Sequence, residues 1–167
     1  MNKILFLDFD GVLHAEDVYI VNGQPVLMQN GHRLFEHAEL LAGLLAGLLA
    51  GLLAGLLAGR KDIDIVLSTT WVRVKRFDYA KARLPESLQE MVIGATYHSR
   101  VDEFWIHATR YEQIARYVQR HNVNDWLAID DDDESWPDAM RHRLVHSDAQ
   151  GGILSVRDEL VTKLEML

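Results

Sequence analysis

Ile4-Leu5-Phe6-Leu7-Asp8-Phe9-Asp10-Gly11-Val12-Leu13 decides how this chain of 167 residues is read. Ile4–Leu7 is short, continuous and bulky, the pattern of a strand buried on both faces of a parallel sheet. Two carboxylates, Asp8 and Asp10, stand at its C-terminal end. Their mutual repulsion does nothing for folding, and open α/β sheets collect ligands beyond the carboxyl ends of their strands. A cation relieves the repulsion, and oxygen-only ligation points to Mg²⁺. Asp8 then reads as a nucleophile, with Asp10 as a proton donor and acceptor beside it. Gly11 permits a sharp turn and the close approach of a substrate.

Working outward, strand and helix signals alternate. Ile63–Leu67 is a second apolar strand and runs into Ser68-Thr69-Thr70-Trp71. Asp78–Met91 reads as a helix interrupted by Pro85. Thr109-Arg110-Tyr111-Glu112 is a capping-box pattern, and Tyr111, Ile114, Ala115 and Val118 then share one helical face. Trp126–Ile129 is a third strand, followed at once by Asp130-Asp131-Asp132-Asp133-Glu134. Leu144-Val145 is a minor strand. Ser155-Val156-Arg157-Asp158 is a second capping-box pattern, opening a C-terminal helix with Leu160, Val161, Leu164 and Leu167 on its apolar side. Strands separated by helices imply right-handed crossovers, a mainly parallel sheet and a Rossmann-like three-layer α/β fold. The polar ends Asp8/Asp10, Ser68/Thr69 and Asp130/Asp131 therefore meet at one sheet edge. Carboxylates from the first and third strands suit a hard cation, and the Ser68 hydroxyl suits a phosphate oxygen. Phosphoryl transfer also needs fixed positive charge; Arg110, in the first turn of a capped helix, and Lys75 are the two candidates.

Leu40–Gly59 is five tandem copies of Leu-Leu-Ala-Gly. Its length matches a membrane-spanning helix, but one crossing would separate Asp8 from Ser68, so no membrane span is expected. As a helix, each copy turns the pattern by about 40°, so the leucines spiral around the axis instead of keeping one stripe. Twenty helical residues extend about 30 Å, whereas a typical strand covers ~17–20 Å. One copy suffices for a crossover helix. The remainder is expected to protrude, expose leucine and drive self-association into a homo-oligomer.

Composition narrows the function classes. The length favours one domain, residues 1–167, with the repeat helix of residues 40–59 inserted within it. A net charge of −8 argues against a broad nucleic-acid-binding surface. The absence of cysteine excludes disulfides, thiolate metal sites and cysteine nucleophiles, and is consistent with a cytoplasmic setting. The four-residue apolar run near the N-terminus is too short for a signal-peptide core.

Four elements in order, Leu7-Asp8-Phe9-Asp10-Gly11-Val12-Leu13, Ile65-Val66-Leu67-Ser68, a basic residue and Ala128-Ile129-Asp130-Asp131, resemble the haloacid dehalogenase-like (HAD) superfamily of phosphohydrolases. The resemblance runs from residue 3 to about residue 135, and its first element is the most specific. It implies that Asp8 forms an aspartyl-phosphate, that Asp10 protonates the leaving group and then activates water, and that Ser68 positions the phosphoryl group. It further implies that Asp130 and Asp131 hold Mg²⁺ together with Asp8 and the backbone carbonyl of Asp10. The superfamily usually carries lysine as its basic residue, so arginine at 110 is a departure. Aspartate at position 8 favours phosphatase or phosphotransferase chemistry, though the superfamily also includes dehalogenases that use it.

Substrate choice in this superfamily is set by caps inserted after the first or second motif. His14–Glu39 supplies only a short flap, a hairpin turning at Asn22-Gly23, and residues 71–109 leave room for a small insertion. Such a nearly capless enzyme has an open site. His98, His107, His121, His142 and His146 show no metal-ligand spacing. Trp71 and Trp105 read first as core aromatics and second as stacking faces for a base or sugar. The expectation is a Mg²⁺-dependent phosphatase acting on a phosphomonoester. A nucleotide or nucleic-acid-end phosphatase is the alternative within enzymes, and an assembly protein working through the repeat helix is the alternative outside them.

Overall fold

Leu7 at the end of β1 (Lys3–Leu7) pairs with Leu67 of β4 (Ile63–Leu67) on one side and with Ile129 of β6 (Trp126–Asp130) on the other, both in parallel. That register brings the next residues, Asp8, Ser68 and Asp130, side by side at one edge of the sheet. The computed structural model describes residues 3–54, 63–97 and 107–167, with backbone only for 48–54. Its main sheet has five parallel strands in the order β5-β4-β1-β6-β7, where β5 is Val92–Ala95 and β7 is Leu144–His146. Chain order reverses between β1 and β6, which makes their carboxyl ends the switch point where such sheets bind ligands.

Alternation along the strands divides the core into two layers. Leu5, Leu7, Ile65, Leu67, Leu127 and Ile129 face α1 (Ala38–Ala54), α2 (Thr70–Lys75), α3 (Phe77–Lys81), α4 (Glu86–Met91) and a C-terminal helix, Arg157–Met166. Ile4, Phe6, Val66, Trp126 and Ala128 face the other way, against Ile114 of α5 (Arg110–His121) and Trp136. The C-terminal helix is α6. This is the three-layer α/β arrangement read from the sequence, and both sides of the sheet are closed by apolar packing.

Local details agree with the sequence at several points and depart from it at others. Pro85 separates α3 from α4, standing at the N-cap of the latter. Thr109 and Glu112 form the reciprocal capping box that opens α5. The flap is a two-stranded hairpin of β2 (Val18–Val21) and β3 (Gln24–Leu27). Its turn residues Asn22 and Gly23 both have positive φ, 51° and 75°, as a tight two-residue hairpin turn requires. The capping box expected at Ser155 is not formed: α6 has Val156 at its N-cap with no side-chain cap bond. The Ser155 hydroxyl is engaged elsewhere, donating to the Gly152 carbonyl and accepting from the Asp148 amide. Strand β5 had no sequence counterpart, because Val92-Ile93-Gly94-Ala95 is short and carries a glycine.

The repeat begins inside the core. Helix α1 buries Ala38, Leu41, Ala42 and Leu45, and Leu40 and Leu44 pack partly against the same cluster. Ala46 and Gly47 are already exposed. The core thus uses the first copy and half of the second. The expectation of one helix across all five copies reaches past Ala54 and so extends outside the described residues. Among the described residues no helix is long and apolar enough to cross a membrane.

Deleting residues 48–59, three whole copies, retains every repeat residue seen in the core. The deletion protein should therefore fold cooperatively, with a circular dichroism spectrum and melting temperature close to those of the full chain. Leu41→Ala, by contrast, should cost about 2–5 kcal/mol. A deletion protein that unfolds would show that the distal copies belong to the core.

Candidate active site

The turn after β1 is built to hold carboxylates. The amides of Val12 and Leu13 donate to the Phe9 carbonyl, which curls the chain immediately beyond Asp8. Gly11 adopts φ +66°, and a Cβ there would stand 2.2 Å from Asp131 Oδ2. Only glycine permits both the turn and the approach of Asp131. From the far side, the buried Ser147 hydroxyl donates to the Gly11 carbonyl at 2.8 Å, and its own amide donates to the Asp130 carbonyl. The loop after β7 therefore braces the loop after β1.

Asp8, Asp130 and Asp131 each present a carboxylate oxygen within 4.8 Å of the others. Asp8 and Asp130 are almost completely buried, at 3% and 0% exposure. Arg110 reaches in from the first turn of α5: its Nη2 donates to Asp8 Oδ2 at 2.9 Å, and its Nε lies 3.1 Å from Asp130 Oδ2. The second contact is an ion pair without hydrogen-bond alignment, since both atoms remain buried and unbonded. The Phe9 amide donates to the other Asp8 oxygen at 2.7 Å, and the Asp132 amide donates to Asp130 Oδ1.

One guanidinium cannot balance three carboxylates. Burial pushes the Asp8 carboxyl above its ordinary value despite the pull of Arg110, with Asp10 adding to the rise. Burial and the charge on Asp8 hold Asp130 well above the usual range. The same two causes lift Asp131 from 3.8 to about 7. Arg110 is more firmly cationic than usual: burial opposes its charge, but Asp8 and Asp130 outweigh that. An oxygen-only cluster with unbalanced charge and an unbonded buried oxygen on Asp130 fits a hard divalent cation.

The other residues singled out in the sequence take distinct positions. Ser68 is fully buried at the edge of the cluster, and its hydroxyl has no hydrogen-bond partner in the described structure. Thr69 caps α2 by accepting from the Trp71 amide, and its hydroxyl also helps hold the charge of Asp8. Asp10 is not one of the three clustered carboxylates, though its charge is felt by Asp8. The Asp10 Oδ1 accepts from Trp71 Nε1 at 2.8 Å and lies 3.1 Å from His14 Nε2. Lys75 is not at this edge; its Nζ donates to the Gly23 carbonyl at the hairpin turn. Of the two basic candidates, Arg110 is the one brought to Asp8. Asp132 accepts from the Glu134 amide and Asp133 pairs with Arg141, so both lie outside the cluster. His98 and Trp105 lie outside the described residues.

Three contacts had no sequence signal: those of His14 and Trp71 with Asp10, and that of Ser147 with the Gly11 carbonyl. His14 stands four residues after Asp10, a spacing that a tight turn converts into contact. Trp71 is 61 residues from Asp10, and only the β1–β4 pairing joins them. Ser147 is fixed by the β6–β7 pairing.

Metal dependence of stability follows from the raised carboxyls. Each has a folded-state pKa above its unfolded value, so the contribution of these three groups to metal-free stability is most favourable at low pH. It falls as pH rises from 3.8 through about 7, the range over which Asp131 loses its proton. A divalent cation competes with those protons. The melting-temperature gain from millimolar Mg²⁺ over EDTA should therefore be larger at about pH 8 than at about pH 5, and Asp130→Ala should remove most of it. Equal gains at both pH values would contradict the site. Gly11→Ala should both lower the melting temperature and diminish the Mg²⁺ gain, because the new Cβ displaces Asp131.

Comparison with known proteins gives one finding. A family model described as the HAD domain in Swiss Army Knife RNA repair proteins matches residues 4–156, from β1 to the N-cap of α6. No curated protein and no solved structure matches significantly.

Proposed function

Because the chain belongs to the family of HAD domains in Swiss Army Knife RNA repair proteins and is a HAD-like phosphohydrolase, we propose that it is a divalent-cation-dependent phosphatase that removes a terminal phosphate from RNA. The observation that carries the phosphatase reading is the junction of Asp8, Asp130, Asp131 and Arg110 at one sheet edge, with the unbonded Ser68 hydroxyl beside them. The nucleic-acid end as substrate is supported by the family description.

In this reading an Asp8 carboxylate oxygen attacks phosphorus and the bond from phosphorus to the ester oxygen breaks. Asp10, steadied by Trp71 and His14, gives its proton to the departing alkoxide. Water then attacks the aspartyl-phosphate, Asp10 takes the water's proton, and the bond to Asp8 breaks to release inorganic phosphate. Arg110 supplies fixed positive charge to the phosphoryl oxygens, and the Ser68 hydroxyl donates to one of them. Asp8, Asp130 and Asp131, with the backbone carbonyl of Asp10, would hold Mg²⁺, which screens the negative charge of nucleophile and phosphoryl group alike. The acidic chain offers no broad nucleic-acid surface, so recognition is confined to the neighbourhood of the end. We further propose a homo-oligomer formed through the repeat helix in a cytoplasmic protein, which light scattering on the full chain and the 48–59 deletion tests.

Hydrolysis of a chromogenic phosphate ester and of RNA phosphorylated at either end, with and without Mg²⁺, tests the activity. Activity should require the metal and should fall by several orders of magnitude in Asp8→Asn. Arg110→Ala should be severely impaired, with Arg110→Lys retaining more. Near-wild-type turnover by Asp8→Asn would eliminate the covalent route.

A further inference from the structure

Next to Asp10 lies a cleft that the phosphoryl chemistry does not use. It encloses about 310 Å³ between the flap hairpin and α2–α3, and Pro25, Phe35, Trp71, Tyr79 and Arg83 are among its walls. That volume is at the lower end of the range for small-ligand sites, which suits one nucleoside. Trp71 connects the cleft to the catalytic edge: its indole N–H holds Asp10, and its ring forms part of the wall. The Trp71 and Tyr79 rings stand nearly parallel, 23° apart with centroids separated by 6.5 Å. The Arg83 guanidinium lies 4.4 Å from the Tyr79 ring centroid and donates to the Tyr79 hydroxyl. Phe35 completes the aromatic lining in a left-handed backbone conformation, φ +60°. A bulky residue adopts that conformation only where its surroundings enforce it. Here the ring is packed edge-on against Phe9 and Trp71.

The stretch that carries α2 and α3 is basic in an otherwise acidic chain. Arg73, Lys75, Arg76, Lys81 and Arg83 fall within eleven residues, with Asp78 the one acid among them, in a chain of net charge −8. Arg73, Arg76 and Arg83 are exposed, Lys75 and Lys81 donate to the Gly23 and Val92 carbonyls, and among the described residues none of the five is in an ion pair with a carboxylate. Aromatic faces interleaved with exposed cations are the chemistry of single-stranded nucleic-acid recognition: rings and guanidinium planes stack bases, and ammonium and guanidinium groups track phosphates. A small phosphomonoester engages neither feature.

We propose that this cleft receives a nucleobase at the phosphorylated end of a single-stranded oligonucleotide, with the backbone running along the cations of α2 and α3. The proposal rests on the phosphatase reading above and names the part of the substrate that the catalytic edge does not touch. Arg83 is the exposed stacking plane; Tyr79 is half-buried behind it, between the Arg83 guanidinium and the Trp71 ring, and holds that plane in place, while Trp71 is nearly buried and serves as wall and anchor.

The test compares kcat and KM of the full chain with Mg²⁺ on para-nitrophenyl phosphate and on short single strands, RNA and DNA, phosphorylated at the 5′ or 3′ end. The oligonucleotide should be preferred through a lower KM. Tyr79→Ala and Arg83→Ala should each raise the oligonucleotide KM about tenfold relative to any change on the small ester. Tyr79→Phe should keep most of the preference, and an abasic terminal nucleotide should lose it on the wild type. Equal losses on both substrates, or a preference for a phosphopeptide over the oligonucleotide, would overturn the cleft assignment. If the chain hydrolyses no phosphate ester, the phosphatase reading fails instead. Quenching of tryptophan fluorescence by the same oligonucleotides then decides the cleft alone: saturable quenching weakened in Tyr79→Ala supports it, and quenching indifferent to the substitution overturns it.

Discussion

Three carboxylates held against a single guanidinium are the constraint on which the rest of this structure depends. Asp8, Asp130 and Asp131 are brought together by strand register, and Arg110 supplies the only cation among the described residues in contact with them. Such a cluster is costly to bury, and its carboxyls respond by holding their protons to higher pH. The protein nevertheless devotes several features to keeping it intact. Gly11 leaves room for Asp131, Ser147 secures the Gly11 carbonyl, and the Thr109 capping box fixes the turn from which Arg110 projects. A fold selected for stability alone would replace these groups with apolar ones. An oxygen-only cluster of this kind could hold a divalent cation as a second positive charge.

Around that cluster the residues divide by task. Arg110 stands against Asp8 and Asp130, and Ser68 is buried at the same edge; in the proposed reaction these two hold the phosphoryl oxygens. The Asp10 side chain is engaged by Trp71 and His14 and not by the three-carboxylate cluster, which suits the separate role in proton transfer proposed for it. The same indole reaches toward the aromatic cleft, so one side chain joins the reaction edge to the face proposed to read the substrate. The flap hairpin supplies Gln24 and Pro25 to another wall of that cleft, and Lys75 ties the hairpin turn to α2 through the Gly23 carbonyl.

Much of this was legible in the sequence because it is local. Bulky apolar runs ending in Asp8/Asp10, Ser68/Thr69 and Asp130/Asp131 identified the three central strands and their common edge. Thr109 and Glu112 identified a helix start, and Asn22-Gly23 identified a hairpin. What escaped detection depends on distance along the chain. The bond from Trp71 to Asp10 and the bracing by Ser147 exist only once β4 and β7 have been placed. Strand β5 is too short and too interrupted by Gly94 to announce itself. The Ser155 pattern misled because a serine hydroxyl serves whichever backbone group is nearest, and here the 148–152 turn outcompeted the helix N-terminus. The leucine repeat carries no periodic signal that separates core from surface; only packing shows that Leu41 and Leu45 are inside.

The central claim is that Asp8 is the nucleophile of this carboxylate cluster. Acid-quenched turnover of a phosphate ester with Mg²⁺, followed by peptide mass spectrometry, tests it most directly, with Asp10→Asn used to slow hydrolysis of the intermediate. The account requires one added phosphoryl group on the peptide containing Asp8, absent from Asp8→Asn. Turnover by the wild type with no adduct in Asp10→Asn, or with the phosphoryl group on another residue, would contradict it.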